Sequence, residues 1–337
     1  MPKSKGERAI EREEKRKQKE EKRRIKEANK MLIPTSKKTK ESLKIESFDP
    51  QGTFKILGNR WLRIYELEEL RSSGFAEILG EIEGRVRITR FLKDKESLIL
   101  TIMEEGDIHD EVRKKFTSDE ESLRNIFRIR WLSVDEAINL IAFHFKEERL
   151  SLSYASLVRG KRDLRKEIFS EVIDNGNHFV LNGMYGSVIS FLQIPGAIDL
   201  NMDEIYKNLG CAVYISYDFK GIDLNDQDDY KRALEKKYGR RRKKETEEFL
   251  NASVMVGIVT DSRDALEILE KTLNQILMRV GFFACAIEGE QKEDIESILS
   301  FDLVDASHMT NVSKEVANVL LGGGAGDQNP VSENESM

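Results

Sequence analysis

The glycine-containing segments of the chain do not have the spacing that a nucleotide-binding site requires. A phosphate-binding loop follows the pattern Gly-x-x-x-x-Gly-Lys-Ser/Thr, in which backbone N–H groups surround the phosphate and the lysine reaches its outer charge. The Gly-Lys pair at 160–161 is followed by Arg162, and Ala155 stands at the position of the first glycine. The glycine run at 322–326 is followed by Asp327. We therefore expect no nucleotide cofactor.

The histidines also lack the pattern of a metal site or a catalytic site. His109, His144, His178 and His308 are isolated, without the tightly spaced second ligand that strong zinc motifs contain. His144 lies in an apolar helical stretch and is expected to be a hydrogen-bonded core residue. The sequence contains no nucleophile elbow and no Cys/His signature. We expect no metal, no cofactor and no enzymatic activity.

Cysteine usage and hydropathy indicate a cytoplasmic location. Cys211 and Cys285 lie in apolar runs far apart in the sequence, which is typical of reduced, buried residues in a cytosolic protein. A disulfide is the alternative if their strands are neighbours. No signal peptide and no stretch of eighteen consecutive apolar residues is present. If the protein works at the inner face of the cell membrane, we expect another protein to hold it there.

Charge is divided unevenly along the chain. The formal net charge is −6, but residues 1–40 contain 16 Lys and Arg against 7 Glu, so this arm carries +9 and the remaining residues −15. A basic arm on an acidic body is typical of an interaction tail. The basic residues of the arm that we predict to contact a partner or nucleic acid are Lys15, Arg16, Lys17, Lys19, Lys22, Arg23 and Arg24.

A solvated helix is the competing interpretation of these basic residues. Residues 3–30 contain too few apolar side chains to bury one face of a helix. Favourable i,i+4 pairs, each worth about 0.2–0.5 kcal/mol, are Glu11–Lys15, Glu13–Lys17 and Glu20–Arg24. A second basic cluster ends a predicted helix over 226–250 and has the same two interpretations. Its members are Arg240, Arg241, Arg242, Lys243 and Lys244.

The folded body begins with a hairpin pattern near residue 43. Alternating apolar residues flank Gly58-Asn59, a pair that tolerates positive φ and therefore favours a tight turn. The alternation over 85–90 predicts a strand with one face in water. The other elements predicted here are a helix to about residue 80, strands at 97–103 and 126–131, and helices at 108–125 and 134–145, the last capped by Ser133 and Glu136.

A second hairpin pattern begins a similar series of elements. Asn182-Gly183 is the strongest short hairpin signal. The elements predicted after it are a helix at 202–209, a strand at 211–217, the charged helix at 226–250, a central buried strand at 254–259, a helix capped by Asp261 or Ser262, a buried strand at 282–287 and a short helix at 294–299. The similar order indicates a structural duplication.

These patterns predict an α+β fold of two lobes. Each lobe is expected to have a mainly antiparallel sheet with helices on one face, and a charged helical or disordered N-terminal arm precedes them. The predicted divisions are an arm and linker at 1–42, a first lobe at 43–146, a connector at 147–170, a second lobe at 171–304 and a polar, glycine-containing tail at 305–337.

The second lobe resembles the end of the N-terminal, non-motor region of conjugative type IV secretion ATPases of the TraC/TrbE type. That region has an apolar strand, a helix that opens at an Asp/Ser-Arg-Asp turn, a glycine before a further strand, and an Ile/Leu-rich close. The matching residues here are Val254–Val259, Asp261–Asp264, Gly281 and Ser297–Leu299. The hairpin Phe179–Leu192 also resembles the opening hairpin of that region.

The resemblance implies a component of a DNA-transfer apparatus rather than a motor. No ATPase motif follows the matching stretch, so the resemblance implies a stand-alone relative of the non-motor region, encoded on a mobile element of a Gram-positive-like bacterium. We expect a non-catalytic protein that docks to the motor ATPase or to the membrane channel base. The alternative is a nucleic-acid-binding accessory protein of a mobile element that uses the basic N-terminal arm.

Overall fold

The structure is a computed structural model that describes residues 5–70, 74–79, 81–93, 96–146, 150–160, 164–169, 172–222, 224–238, 248–299 and 309–321. The helices in these ranges are α1 (Lys5–Ala28), α2 (Lys37–Leu43), α3 (Phe75–Leu79), α4 (His109–Arg124), α5 (Val134–Lys146), α6 (Tyr154–Arg159), α7 (Leu164–Phe169), α8 (Met202–Lys207), α9 (Leu224–Tyr238), α10 (Arg263–Arg279), α11 (Gln291–Leu299) and α12 (Lys314–Leu320). The strands are β1 (Ile33–Pro34), β2 (Ile45–Phe48), β3 (Thr53–Ile56), β4 (Arg60–Leu67), β5 (Arg85–Leu92), β6 (Ser97–Glu105), β7 (Ile129–Trp131), β8 (Val172–Asp174), β9 (Phe179–Leu181), β10 (Met184–Gln193), β11 (Ala212–Gly221), β12 (Phe249–Thr260), β13 (Phe283–Ala286) and β14 (Thr310–Ser313).

The described strands form one 14-stranded antiparallel sheet. They follow one another in the order β1-β2-β3-β4-β6-β5-β11-β12-β10-β9-β8, and β7, β13 and β14 pair with β4, β10 and β12. The α+β class with a large antiparallel sheet is therefore confirmed. The finer prediction of two separate sheets differs from the structure, because β5 and β11 pair and join the strands of both lobes.

Two successive segments, which we call repeat 1 (residues 37–146) and repeat 2 (residues 164–299), have the same order of elements, except that repeat 2 has an additional helix, α9, between its two central strands. Each begins with a short helix and three hairpin-connected strands, continues with a helix, two central strands and a longer helix, and ends with a short strand and a helix. The pairing is also the same, since β3–β4, β4–β6, β5–β6 and β4–β7 correspond to β9–β10, β10–β12, β11–β12 and β10–β13. The duplication expected from the two hairpins is therefore present in the topology.

The joint between the repeats has the register of a local two-fold axis. In the antiparallel pair β5–β11, Thr89 lies opposite Ser216 at the centre. Any antiparallel ladder has such a centre, so the equivalence of residues must also agree with the other ladders. With Thr89 matched to Ser216, the pair Tyr65–Trp131 at the end of β4–β7 corresponds to the pair Ile189–Ala286 at the end of β10–β13.

Helices cover both faces of the sheet, where the sequence predicted one covered face in each lobe. One buried cluster packs the sheet against α3, α4, α8, α10 and α12. A second cluster, on the opposite face, packs it against α2, α5, α7 and α11. Because neighbouring residues of a strand point to opposite faces, the central strands are buried on both sides.

The prediction that β5 has one face in water is wrong. Every residue of β5 is buried, including Arg85, Arg87 and Arg90. The side chain of Arg87 bonds both carboxylate oxygens of Asp218 at 2.9 and 3.1 Å, and its Nη1 donates to the carbonyl oxygen of Ser297 at 2.5 Å. Alternation in the sequence marked the polar face correctly, but α11 covers that face.

Other elements also differ from the sequence-based prediction. The charged helix expected over 226–250 is described as α9 up to Tyr238, and the last residues of the expected range belong instead to β12, which begins at Phe249 and pairs with β11 and β14. The connector contains α6 and α7. The stretch expected as a polar tail contains β14 and α12, which bury Val312 and Leu320 against the first cluster.

Several local predictions are confirmed. Asn182 and Gly183 have φ values of 51° and 79°, as the mirror-image turn of a two-residue hairpin requires. Ser133 and Glu136 form the expected capping box, in which the Ser133 backbone N–H donates to the Glu136 carboxylate at 2.9 Å. Ser262, rather than Asp261, caps α10 by accepting from Ala265 N.

Candidate functional site

The predicted arm is an exposed helix, α1. Its ion pairs are local, with Lys15 Nζ 2.9 Å from Glu11 and Lys17 Nζ 3.7 Å from Glu13, as the sequence predicts. The third expected pair is not formed. Glu20 lies near Arg16 at 3.8 Å, and Arg24 lies 4.0 Å from Glu111 of α4. Such exposed pairs contribute little to stability.

One face of α1 is a continuous basic surface. Lys15, Lys19, Lys22 and Lys26 recur at the three- and four-residue spacing that places side chains on one helix face, and all four are exposed. We call these four residues the lysine stripe. At 1.5 Å per residue, the stripe extends over about 16 Å. Arg16 and Arg23 flank it, whereas Lys17 and Arg24 lie on the opposite side among most of the helix's glutamates.

The end of α1 is attached to the body at the start of α4. Asn29, directly after α1, accepts a hydrogen bond from the His109 backbone N–H at 2.9 Å and donates to the Asp107 carbonyl at 2.8 Å. His109 is buried, and its Nε2 lies 3.0 Å from Asp49 Oδ2. Burial alone would raise the pKa of Asp49, but hydrogen bonds from His109 and Thr53 outweigh it and lower the pKa. The arm is therefore anchored through a buried polar cluster.

The second predicted basic cluster lies outside the described residues. Arg240, Arg241, Arg242, Lys243 and Lys244 fall between the end of α9 and the start of β12, in 239–247. The expectation that they contact a partner or nucleic acid stays a prediction.

His144 and the two cysteines lie in the packed body, whereas His308 lies outside the described residues. His144 Nε2 lies 3.3 Å from Ser97 Oγ, and its ring stacks on Phe91 at 3.6 Å between centroids, as expected for a hydrogen-bonded core histidine. Burial lowers the pKa of His144 to about 4. Cys211 and Cys285 are free, and they are half-buried rather than buried. Burial raises the pKa of Cys211 to about 11, which keeps it a thiol.

A buried arginine fills the space between α4 and the sheet in repeat 1. Arg63 Nη1 donates to Glu120 Oε1 at 2.6 Å, and Arg63 Nε donates to Thr53 Oγ1 at 3.0 Å. The guanidinium lies between two aromatic rings, 4.1 Å from the Trp131 centroid and 4.7 Å from that of Phe116. We call this arrangement the arginine cage.

The equivalent place in repeat 2 is an open groove. Strand pairing matches Thr53, Arg63 and Trp131 with His178, Ser187 and Ala286. Matching the buried Val112 and Leu123 of α4 with Leu266 and Leu277 of α10 places Glu270 at the position of Phe116 and Asn274 at that of Glu120. The groove has a volume of about 390 Å³. It is lined by Asn177, His178, Arg263, Leu266, Glu267, Glu270, Ala286 and Glu288.

The groove is acidic. Glu267 forms an ion pair with Arg263, whose Nε lies 3.2 Å from Glu267 Oε1. Burial and the nearby charge of Glu267 raise the pKa of Glu270. Ser187 Oγ lies close enough to the Glu270 carboxyl to lower this pKa in part, although it has no partner in ordinary hydrogen-bond geometry among the described residues.

The groove was not predicted from the sequence, although the sequence contains one indication of it, a glutamate on the apolar face of α10. Leu266, Leu273 and Leu277 form a buried stripe on α10, and Glu270 occupies the position where the stripe would continue. A carboxylate on the apolar face of a helix indicates a polar environment inside the fold. Ser187 and Ala286 indicate an unfilled space only when they are compared with the larger Arg63 and Trp131 at the equivalent positions. That comparison requires the strand register, which the sequence alone does not provide.

Carboxyl groups elsewhere do not form a site of the metal-binding kind. Glu104 and Asp119 are buried together beneath α4; burial and the neighbouring Asp119 raise the pKa of Glu104 to about 9. Across the described ranges, no three His, Cys, Asp or Glu side chains are placed to hold a metal ion.

None of the helices in the described ranges combines the length and apolar character that crossing a bilayer requires.

Comparison with known proteins does not assign the chain to a group. It matches no protein-family model and no curated protein sequence.

Proposed function

We propose that the chain is a non-catalytic docking protein whose arm, α1, binds the acidic surface of a protein partner. The observation that carries this proposal is the lysine stripe, which is exposed over its whole length on a helix whose end is fixed by Asn29. Fixing one end of a helix reduces the conformational entropy that is lost when its other residues bind. Among the described residues, no carboxylate of the acidic body pairs with the stripe: Lys15 pairs with Glu11 of α1 itself, and the contact to α4 is made by Arg24 on another side of the helix.

The proposed setting is a conjugative DNA-transfer apparatus of the type IV secretion kind, with the motor ATPase or the membrane channel base as the partner. The support is the resemblance of residues 248–301 to the non-motor region of the TraC/TrbE type. In the structure, this stretch contains β12, α10, β13 and α11, which belong to the covered sheet of repeat 2. A protein of this kind acts at the cytoplasmic side and needs no membrane helix of its own.

The test is copurification with the motor and channel proteins encoded beside it. The informative variant replaces Lys15, Lys19, Lys22 and Lys26 with Gln, which removes the stripe but keeps good helix formers. We expect partner recovery to fall at least tenfold. The matched control, with the same change in net charge, replaces Lys37, Lys114, Lys207 and Lys271, which are exposed elsewhere. Recovery of neither partner by the wild type at modest salt would contradict the proposal.

Nucleic-acid binding is the second candidate, and the length of the lysine stripe favours it. Four lysines on one face can follow several successive phosphates of a backbone. If each lysine contacts one phosphate of duplex DNA, affinity falls by about two orders of magnitude between 50 and 200 mM salt. The four-Gln variant then loses most of this salt dependence. Weak binding that is insensitive to salt and to the substitutions excludes this candidate.

A further inference from the structure

The arginine cage shows which group repeat 2 lacks. In repeat 1, Arg63 supplies the donors that Thr53 and Glu120 accept. In repeat 2, serine replaces that arginine. Asn274 Oδ1 is buried without a hydrogen-bond partner among the described residues, and Ser187 Oγ approaches the Glu270 carboxyl without ordinary hydrogen-bond geometry. Buried acceptors without a partner are rare and cost about 1–3 kcal/mol each. Their position at the equivalents of Arg63 and Glu120 indicates a place for a donor group.

We propose that the groove of repeat 2 binds the guanidinium group of an arginine side chain presented by a partner protein. The Glu270 carboxyl lines the groove at the position of Phe116, and Glu288 adds a second carboxylate that no described ion pair engages. The groove therefore offers charge to a cation, with carboxylate acceptors on α10 and directly after β13. The planar, five-donor guanidinium suits acceptors in several directions better than the compact ammonium of lysine.

Other ligand classes fit the groove less well. An anion would meet Glu267, Glu270 and Glu288, and the nearby cation, Arg263, is already paired with Glu267. A metal ion needs a ligand set that the described carboxylates and histidines do not form. The site is lined by α10, by the end of β13 and by the residues before β9. It is therefore independent of the α1 arm and goes beyond the docking function proposed for that arm.

The test is a titration with N-acetyl-L-arginine amide, followed by methyl NMR of Leu266 and Ala286 in the full chain. We expect saturable shifts at both methyl groups. The neutral isostere N-acetyl-L-citrulline amide should bind at least tenfold more weakly, because it lacks the positive charge. Glu270→Gln should weaken arginine binding at least fivefold, whereas Glu293→Gln, an exposed position outside the groove, should change it less than twofold.

A reconstruction variant provides the converse test. Ser187→Arg together with Asn274→Glu introduces the arginine–glutamate pair of the cage into repeat 2, and we expect it to abolish binding of the probe. If this variant does not fold, the titration of the Glu270→Gln variant decides whether the groove binds the guanidinium group. Equal shifts from arginine and citrulline, or unchanged binding in Glu270→Gln, would overturn the proposal. Self-association that is lost in Glu270→Gln would also overturn it, because the occupant would then be a second copy of this chain.

Discussion

Repeat 1 and repeat 2 share one strand register but use the space under their long helices differently. Repeat 1 fills it with Arg63 between two aromatic rings, whereas repeat 2 places Ser187, Glu270 and Ala286 at three of the equivalent positions and leaves a groove. Both α4 and α10 bury aliphatic side chains at the equivalent positions, although only α4 packs over the cage. The fold of a repeat therefore does not require the cage. The difference shows that the same duplicated framework can hold either a buried arginine cage or an open groove at this place.

The largest expected difference in stability between the two repeats follows from removing the arginine of the cage. Arg63→Ala removes the cation that bonds Glu120 directly and leaves it with the Tyr65 hydroxyl at 2.6 Å and Arg124 at 3.9 Å. We expect a loss of about 3 kcal/mol in the free energy of unfolding, the lower end for a broken buried pair. The equivalent change in repeat 2, Ser187→Ala, removes a hydroxyl that lies beside the Glu270 carboxyl without ordinary hydrogen-bond geometry, and it should cost about 1 kcal/mol or less. Urea unfolding of both variants measures the difference. Equal losses would show that the two places are not distinct.

The buried carboxyl pair of repeat 1 gives the second prediction. Strand and helix equivalence places Thr260 and Leu273 where repeat 1 has Glu104 and Asp119, so the corresponding titration is confined to repeat 1. The pKa of Glu104 is raised from 4.5 to about 9, first by burial and then by Asp119. The unfolded chain therefore releases a proton that the folded chain retains, and stability falls as the pH rises from 4.5 towards 9.

Glu104→Gln removes this penalty. At pH 8 we expect the variant to be more stable than the wild type by about 1–3 kcal/mol, and the slope of stability against pH between 7 and 8.5 to flatten. The control is the exposed neighbour Glu105→Gln, which should leave the slope unchanged. Thermal unfolding across this pH range provides the measurement, and an unaltered slope in Glu104→Gln would contradict the assignment.

The smallest expected effect concerns the apolar face of α10. Glu270→Leu continues the stripe of Leu266 and Leu273, as Phe116 does in repeat 1, and should raise stability by about 0.5–1.5 kcal/mol. The same change at the exposed Glu267 should have little effect. A destabilised Glu270→Leu would mean that the carboxyl group contributes to folding rather than to binding. Chemical denaturation at neutral pH distinguishes these outcomes.

The sequence predicted those features that depend on neighbouring residues. The Asn182-Gly183 turn, the capping box at Ser133 and the central position of β12 follow from local propensity and periodicity. The pairing of β5 with β11 does not, because the partner of Arg87 is Asp218 in the other repeat. No local pattern shows that an arginine-rich strand has its charges neutralised from a distant strand.

The groove is a second feature that local sequence patterns could not predict. Glu270 at an apolar helix position was visible in the sequence, but the small residues opposite it became informative only once Arg63 was known to occupy the matching place. The exposed basic arm, in contrast, needed only composition and helical spacing. Surface charge can be predicted from a single sequence, whereas a missing interior group requires a second copy for comparison.

One titration with N-acetyl-L-arginine amide compares the two repeats directly when methyl groups of both are followed by NMR. We expect saturable shifts at Leu266 and Ala286 of repeat 2, with no change at Val112, the equivalent of Leu266 beside the filled cage. Shifts of equal size in both repeats, or none at Leu266 and Ala286, would contradict the claim that repeat 1 is closed by its own arginine and repeat 2 is open to that of a partner.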